Sequence, residues 1–328
     1  MSTEYVEGMI SVIITVYNRE AFLEECVGSL VSQKEVLLEV LLIDDGSKDD
    51  SLKICNSLAK RYDSVRVFHQ ENSGISKARN TGLDNARGEF ICFLDDDDVM
   101  TPGSLKVMLD AIRTYDTDIV VGNFERVGED GHLVAESALP DNVKNRVITV
   151  DEFWEASFDK KGYFIFIVNW AKLYKRKIWE KLRFPEEFRN AEDEYVLADV
   201  LAQCKNIYVT DYIVHKQTVG NKSITRSGFS IVTLRAPETK LVTAGKLITQ
   251  GKLAFAIKKW GIACGEIVTF TKRANTPEIK AELKRLYKWS CSIGKELFKD
   301  MDIKKKIKYL GYRFGYGVYF AIYAGKDA

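Results

Sequence analysis

Four consecutive carboxylates, at residues 95–98, follow directly on the apolar run at residues 90–94. The run is too short for a typical helix and does not alternate in polarity, so it predicts a buried strand. Adjacent carboxylates repel one another and are costly to bury, so we expect them where the strand emerges from the core. Clustered carboxylates suit a hard divalent cation that also binds phosphate oxygens. The alternative is an acidic turn that only ends the strand.

Two further acidic pairs stand at the ends of apolar segments. Asp44 and Asp45 close the run at residues 39–43, whereas Glu192 and Asp193 open a segment whose apolar residues recur at helical spacing. Each pair also has a structural explanation. Asp45 or Ser47 can cap the helix that follows, and acids are favoured in a first helical turn by the helix dipole.

The elements that must position these acids alternate regularly along the chain. Strands are predicted at residues 10–16, 39–43, 65–68, 89–94 and 117–122, with a helical pattern in each interval. This alternation predicts a doubly wound, mainly parallel α/β sheet, which binds ligands at the carboxyl ends of its strands. No glycine-rich dinucleotide fingerprint follows the first strand and no Walker lysine motif occurs, which argues against the dinucleotide-binding and P-loop classes.

Local signals predict several element boundaries. We expect the third helix to end at Gly82 or Gly88, and the fourth to begin at Thr101 and Pro102. Residues 125–146 are charged and irregular, which indicates a hairpin or loop over the site. The aromatic run at residues 163–168 either shapes an acceptor side or contains an ordinary core strand at residues 165–168.

Four sequence blocks occur in order, at residues 11–18 (SVIITVYN), 43–47 (IDDGS), 72–82 (NSG and ARNTG) and 93–98 (FLDDDD). Together they resemble the family 2 glycosyltransferases, over roughly residues 9–225. The resemblance implies a GT-A fold, a nucleotide-sugar donor and inversion of the anomeric centre. It also implies a domain at residues 1–228, with a nucleotide-sugar half at about 9–122 and an acceptor half at about 123–228.

The resemblance assigns roles at the donor site. Asp95 and Asp97 match the DxD pair, in which Asp97 would ligate Mn²⁺ or Mg²⁺ and Asp95 would contact the donor or share the metal. Asp96 and Asp98 could share this work, because four adjacent acids leave the register ambiguous. Arg79 would approach the diphosphate with its fork of donors, or form a salt bridge to the aspartates. The other implied donor contacts are Thr15, Val16, Tyr17, Asp44, Asp45 and Asn72, with Asp45 preferred over Asp44 as the contact to the base.

The same resemblance implies a base and a closing loop. Glu192 and Asp193 match the family's "ED" pair, with Asp193 as the general base and Glu192 supporting it or binding the acceptor. Residues 214–225 match the family's closing loop but depart from it, with His215 or Lys216 where arginine is commoner. Lys216 or Arg226 would then close over the diphosphate, with Gly220 and Asn221 as a flexible part of the lid.

Charge is divided unevenly along the 328 residues. The formal net charge is +1, yet residues 231–328 contain 20 Lys and Arg against 8 Asp and Glu, and the residues before them contain 28 against 39. We therefore expect a separate, basic helical region at residues 229–328. Its closing stretch, residues 303–323, joins lysines to aromatic residues, which suits an anionic membrane surface. The alternatives are a self-association face in a homo-oligomer and a solvated basic helix. Nucleic acid is not an expected partner, because no recognised binding module is present.

Cysteines and apolar runs indicate the compartment. The six cysteines show no CxxC spacing and the three histidines are isolated, which indicates free thiols in a reducing compartment and argues against zinc. The first residues lack a signal-peptide pattern, and no apolar run reaches the ~18–20 residues that span a bilayer. We therefore expect a cytoplasmic chain, in peripheral contact with the inner face of the plasma membrane if the basic region binds lipid.

These observations predict a metal-dependent, inverting glycosyltransferase. It would move a sugar from a nucleotide sugar, with UDP as the family preference, to a hydroxyl of a polysaccharide, a lipid-linked oligosaccharide or a glycoprotein glycan. The alternative is a catalytically silent GT-A module that serves as a scaffold or partner subunit. A nucleotidyltransferase is disfavoured, because residues 17–20 do not form a glycine-rich basic loop.

Overall fold

A computed structural model describes residues 5–136, 139–159, 163–188, 190–219 and 229–318. The chain forms two compact units. The sheet unit comprises Met1–Glu187 and Gln203–Ile224, and the helical unit comprises Phe188–Ala202 and Thr225–Ala328. The sequence-based boundary at residue 228 differs from this division, because residues 188–202 group with the C-terminal helices.

The first half of the sheet unit follows the predicted alternation of strands and helices. Four parallel strands lie in the order β3-β2-β1-β4. The strands are β1 (Val6–Val16), β2 (Leu37–Asp44), β3 (Val65–His69) and β4 (Gly88–Asp95). The helices that follow them are α1 (Leu23–Val31), α2 (Ser51–Arg61), α3 (Ile75–Asn85) and, after the short strand β5 (Val99–Met100), α4 (Ser104–Thr114). The expected mainly parallel α/β sheet is therefore confirmed.

The second half of the sheet unit extends the same sheet with mixed strand directions. Strand β9 lies antiparallel between β4 and β6, and β10 runs parallel to β6. The hairpin expected after residue 122 is present as β6 and β7. The elements are β6 (Ile119–Gly128), β7 (Leu133–Glu136), β8 (Arg146–Thr149), α5 (Val150–Ala156), α6 (Tyr163–Ile167), β9 (Lys172–Lys175) and β10 (Asn206–Val219).

Two expected boundaries were wrong, as was the core strand that was one of two alternatives for residues 163–168, each for a physical reason. Helix α3 continues through Gly82, where a Cβ would lie 2.3 Å from Cγ2 of Ile13, so the glycine permits close packing on β1. Helix α4 begins only after Gly103, which has a left-handed φ of 72°. Residues 165–167 belong to helix α6, because a short apolar run does not by itself distinguish a buried strand from a buried helix.

Strand register decides where the acids lie. In the parallel ladders Val16 pairs with Asp44, and Thr15 pairs with Asp95. The carboxyl ends of β2 and β4 therefore lie on either side of the end of β1. Behind them, the Phe93 ring packs edge-on against Trp179 and Phe184, at centroid distances of 5.2 and 5.6 Å. A buried aromatic cluster thus supports this edge of the sheet.

The helical unit confirms the expected C-terminal helical region. Pro277 begins one of its helices, and Thr276 caps that helix by accepting a hydrogen bond from Ile279 N–H. Among the described helices, none combines the length and the apolar composition needed to cross a membrane. The helices are α7 (Glu192–Ala202), α8 (Arg235–Thr249), α9 (Leu253–Thr271), α10 (Pro277–Leu297) and α11 (Ile303–Leu310), which continues as a π-helical segment (Gly311–Tyr316).

Candidate active site

The four acids after β4 alternate between exposed and buried side chains. The side chains of Asp95 and Asp97 are 34% and 32% exposed, whereas those of Asp96 and Asp98 are 13% and 2% exposed. The alternation distinguishes the four acids by their exposure. Asp95 and Asp97 are the two more exposed carboxylates of this turn.

The Asp98 side chain is buried in the core of the sheet unit. Its Oδ2 lies 2.7 Å from Nε2 of the fully buried His215, and its Oδ1 accepts a hydrogen bond of 2.7 Å from Thr218 N–H. The imidazole stacks on Trp170 at a centroid distance of 4.3 Å. Burial raises the pKa of Asp98 well above its usual value, and Asp97 adds to this effect. Asp98 therefore ties the acidic turn to β10.

Asp96 contacts the segment after β1. Its Oδ2 accepts a 3.1 Å hydrogen bond from Tyr17 N–H, and its Oδ1 lies 3.3 Å from Arg19 Nε. The same Nε lies 3.4 Å from Asp97 Oδ2. Burial raises the pKa of Asp96 well above its usual value and Asp97 adds to this, while Arg19 and the Tyr17 amide oppose it. Sequence reasoning did not select Arg19, although a cation three residues beyond β1 was a signal that it could reach this edge.

Arg79 is held beside Asp95. Its Nη2 lies 3.5 Å from Asp95 Oδ1, and its side chain is 5% exposed. The guanidinium lies over the rings of Phe184 and Phe93, at 5.2 and 6.0 Å from their centroids. The salt bridge to the aspartates that the sequence allowed is therefore present, and it fixes a planar cation at the acidic edge.

Asp45 organises the loop that leads into α3. Its Oδ1 accepts hydrogen bonds from Gln70 Nε2 (2.8 Å) and Ser73 N–H (2.9 Å), and its Oδ2 accepts one from Gly74 N–H (2.8 Å). The exposed Asn72 donates from Nδ2 to the Asp45 carbonyl at 3.0 Å. Asp45 is 4% exposed, and this loop occupies three of the about four acceptor sites of its carboxylate.

Asp44 and the end of β1 form the floor of this region. Asp44 is fully buried, and its Oδ2 lies 2.7 Å from Nδ1 of His69. Its Oδ1 is buried without a hydrogen-bond partner among the described residues. Val16 is buried, Thr15 is half-buried and the Tyr17 side chain is 38% exposed. Tyr17 is therefore the most exposed member of this segment.

The predicted closing residues are only partly described. Lys216 lies on β10 and its Nζ is 3.1 Å from Glu125 Oε1, with the lysine side chain 40% exposed. Its fully buried neighbour His215 belongs to the Asp98 pair. Gly220, Asn221 and Arg226 lie outside the described residues.

The acidic edge fits a divalent cation through its donor chemistry. Within the described ranges, no three His, Cys, Asp or Glu side chains converge into a complete metal site. Mg²⁺ in phosphate chemistry is commonly held by one or two carboxylates, with substrate phosphates and water completing the oxygen ligands. Asp95 and Asp97 supply such a pair, and the ligand set contains oxygen alone, which also suits Mn²⁺.

The helical unit presents the second predicted acidic pair at the start of α7. Glu192 and Glu194 are buried, and Asp193 between them is half-exposed. Glu194 pairs with Lys259 at 2.6 Å. Asp193 is therefore the most solvent-accessible acid of this turn, whereas the acids that follow β2 and β4 belong to the sheet unit.

The fold and the acidic edge define a protein of the GT-A glycosyltransferase class. The model of Glycosyl transferase family 2 matches residues 11–182, more than half of the chain. The chain belongs to this family.

Curated relatives and solved structures agree with this membership. Glycosyltransferase GlyA of Streptococcus pneumoniae serotype 4 is 30% identical over 223 residues, which are 67% of this chain and 32% of GlyA. The GalNAc(5)-diNAcBac-PP-undecaprenol β-1,3-glucosyltransferase of Campylobacter jejuni is 31% identical over 185 residues, 56% of this chain and 57% of that enzyme. This chain thus spans only part of the length of each.

The structural likeness extends over nearly the whole chain. The crystal structure of S. aureus TarS 1–349 in complex with UDP-GlcNAc gives a TM-score of 0.68 at 20% identity. The match covers 94% of this chain and 92% of that one. The shared fold therefore includes the C-terminal helical region as well as the sheet.

Proposed function

We propose that the chain is an inverting glycosyltransferase that moves a sugar from a UDP-sugar to a hydroxyl of a glycan acceptor. One observation carries this proposal: Asp95 and Asp97 are left open at the carboxyl edge of the sheet, beside the fixed guanidinium of Arg79. Carboxylates for a cation and a planar cation for oxyanions are the groups that departure of a diphosphate requires.

The donor half of the reaction needs charge stabilisation. A bound Mn²⁺ or Mg²⁺ would neutralise charge on the diphosphate, with Asp97 as a ligand and Asp95 shared between metal and donor. Arg79 would face the phosphate oxygens from the side held by Asp95. Tyr17, Val16 and Thr15 would pack around the base.

The remaining donor contacts follow from the loops around β2 and β10. Asp45 would use its remaining acceptor site for the imide N–H of the base, and Asn72 lies beside it. Asp44 would support the base-binding segment from the core. Asp96 would hold Tyr17 in place by accepting a hydrogen bond from the Tyr17 N–H. Lys216 would leave its partner Glu125 and contact the diphosphate instead.

The acceptor half of the reaction needs a base. Asp193 would take the proton of the attacking hydroxyl as the new bond forms at the anomeric carbon and the bond to the diphosphate breaks, so that UDP leaves. Its half-exposed position supports this role, and Glu192 would support it or bind the acceptor.

The names of similar proteins support particular classes of donor and acceptor. The UDP-GlcNAc complex of TarS supports a UDP donor. The Campylobacter relative is named for an undecaprenol-linked acceptor, which supports a lipid-linked oligosaccharide among the acceptor classes, beside polysaccharide and glycoprotein glycan. None of the six cysteines, which all lie in described residues, forms a disulfide, and this supports a cytoplasmic location. The proposal includes peripheral contact with the inner face of the plasma membrane.

Release of UDP from a panel of UDP-sugars, measured with Mn²⁺ and with chelator, tests the donor side. We expect release from one donor, and we expect it to be lost with chelator and in Asp97→Ala. No binding or release with any donor would contradict the proposal and favour a catalytically silent GT-A module.

The base is tested separately with Asp193→Asn. We expect transfer to fall by about 100-fold or more, because general-base catalysis contributes on the order of 10²–10⁴, while UDP affinity stays unchanged. Glu187→Gln, a neutralised acid of the sheet unit outside the proposed site, is the control. Transfer by Asp193→Asn at the rate of this control would exclude Asp193 as the base.

A further inference from the structure

The last described helix has two unlike faces. One face of α11 and of its π-helical continuation packs on the helical unit through tyrosines. Tyr309 is 2% exposed and lies 5.9 Å from Trp260, between ring centroids. Its ring fills the space over Gly294, where an added Cβ would lie 2.6 Å from it. Ser290 Oγ and Tyr312 Oη are hydrogen-bonded at 2.8 Å. This face fixes the helix in place.

The other side carries an apolar stripe, which consists of Ile303, Ile307, Leu310, Phe314 and Val318. Their exposed fractions range from 41% to 77%. Single exposed apolar residues are normal on protein surfaces, but a contiguous apolar patch marks an interaction surface. The members recur every three or four residues, so they share one side of the helix. Within the residues that the structure describes, the stripe is therefore an exposed apolar face of a fixed helix.

Cations border the apolar stripe. Lys304 and Lys308 lie along one edge by helical spacing, and Lys306 and Arg313 lie along the other. Residues 303–318 contain no acid. The nearest acid in sequence, Asp302, is occupied by Lys305 at 2.6 Å. An apolar face with lysines and arginines at its edges is the pattern of a helix that lies in a membrane interface.

Self-association fits this face less well. A two-fold dimer would place the same patch of both copies in contact. The cations beside one stripe would then face the cations beside the other, and juxtaposed like charges are costly. An anionic lipid surface instead offers a complementary charge along both edges.

We propose that the apolar stripe inserts into the boundary between headgroups and acyl chains of an anionic bilayer, with Lys304, Lys306, Lys308 and Arg313 contacting the headgroups. This inference deepens the proposed peripheral location by naming the surface and the lipid chemistry. Membrane contact is measurable without donor or metal, so it stands or fails independently of the transferase activity.

Vesicle flotation of the full chain tests the inference. One set of vesicles contains phosphatidylcholine alone, and the other also contains phosphatidylglycerol. We expect the chain to float with the anionic vesicles. The variant Ile307→Ser/Phe314→Ser should lower partitioning on the order of 100-fold, because two large apolar side chains no longer leave water. Lys304→Gln/Lys308→Gln should lower it roughly 30-fold on anionic vesicles alone, at about tenfold per 1.4 kcal/mol.

Matched control variants remove exposed apolar residues and exposed lysines that lie outside the apolar stripe. Leu133→Ser/Val134→Ser alters two exposed apolar residues of β7, and Lys272→Gln/Lys295→Gln removes two exposed lysines of the helical unit. We expect both controls to float as the unaltered chain does. Circular dichroism should show that Ile307→Ser/Phe314→Ser keeps its helix content, because both positions are exposed.

Three results would overturn the inference. The first is that the unaltered chain does not float with anionic vesicles. The second is that Ile307→Ser/Phe314→Ser floats as well as its control. The third is that light scattering without vesicles shows an oligomer that this variant alone dissociates, which would make the stripe a self-association face. Absence of UDP release with normal flotation would contradict the proposed function and leave this inference intact.

Discussion

Asp97 and Asp98 are neighbours in the chain with opposite environments. Asp97 faces outward, with a side chain 32% exposed and an Arg19 contact at 3.4 Å. Asp98 is buried, and its carboxylate is paired with the His215 ring and accepts a hydrogen bond from the Thr218 N–H. A buried carboxylate with two such partners stabilises the fold, whereas a partly exposed one among like charges does not. The two residues should therefore respond differently to removal of the carboxylate.

We expect Asp98→Ala to lower the free energy of unfolding by about 2–4 kcal/mol, because it leaves buried donors unpaired. Asp97→Ala should change it by less than about 0.5 kcal/mol while lowering transfer by about 100-fold or more. Urea unfolding and UDP release measure the two effects. Equal destabilisation by both variants would contradict the division of roles.

Arg79 should be sensitive to the shape of its cation as well as to its charge. Lysine keeps the charge but lacks the planar fork and the stacking on Phe184. We expect Arg79→Lys to weaken UDP binding about tenfold in titration calorimetry with Mn²⁺, from the loss of a bidentate, charge-assisted contact. Arg61→Lys, at an exposed arginine paired with Glu24, is the control and should bind UDP normally. Unchanged affinity in Arg79→Lys would leave Arg79 with a structural role alone.

Regular elements could be predicted from the sequence because each strand of the first half is a short apolar run between helical patterns. Prediction failed where packing decided the outcome. Gly82 suits the end of a helix, but contact with Ile13 makes it an interior position of α3. The sequence preferred Asp45 over Asp44 as a contact to the base, but it did not reveal the 70–74 loop that occupies Asp45, because that loop is brought to it only by folding. Arg19 was missed for the same reason, since its acids are 77 and 78 residues away.

Helix α7 illustrates how neighbouring helices hold an element that carries a functional residue. Glu194 pairs with Lys259 at 2.6 Å and with Lys240 at 3.3 Å, and Lys240 also lies 3.1 Å from Glu266. Burial would raise the pKa of Glu194, but the two lysines outweigh it and hold that pKa below its usual value. The first turn of α7, which presents Asp193, is thus attached to α8 and α9.

We expect Lys259→Met to lower the free energy of unfolding by about 3 kcal/mol, because it leaves part of the Glu194 charge buried and uncompensated. The double variant Glu194→Met/Lys259→Met should lose less, since it removes both charges. Lys53→Met, which removes an exposed partner of Asp50, should cost less than about 1 kcal/mol. Urea unfolding compares the three variants. A loss in Lys259→Met no larger than in Lys53→Met would show that the pair does not anchor α7.

At the scale of the whole molecule, the proposed chemistry is divided between two units. The donor-side acids, Arg79 and the base-binding segment belong to the sheet unit, while Asp193 and the apolar stripe belong to the helical unit. The charge follows the same trend, because the acidic excess precedes residue 231 and the basic excess follows it. A nucleotide with its cation and a lipid surface would thus be bound by different units, and the basic excess after residue 231 suits an anionic lipid surface.

UDP with Mn²⁺ should therefore stabilise the sheet unit specifically. A ligand at 100 times its dissociation constant adds about 2.7 kcal/mol, which corresponds to a rise of roughly 5–10 °C in the unfolding temperature of a unit of this size. Calorimetry should show this rise with UDP and Mn²⁺, and a smaller one with chelator or in Asp97→Ala. Hydrogen exchange should slow at residues 15–19, 70–79 and 95–98 and stay unchanged in α10. A rise in unfolding temperature that chelator does not reduce would exclude Asp97 as a metal ligand. Slower hydrogen exchange in α10 alone would place the nucleotide in the helical unit and contradict the prediction.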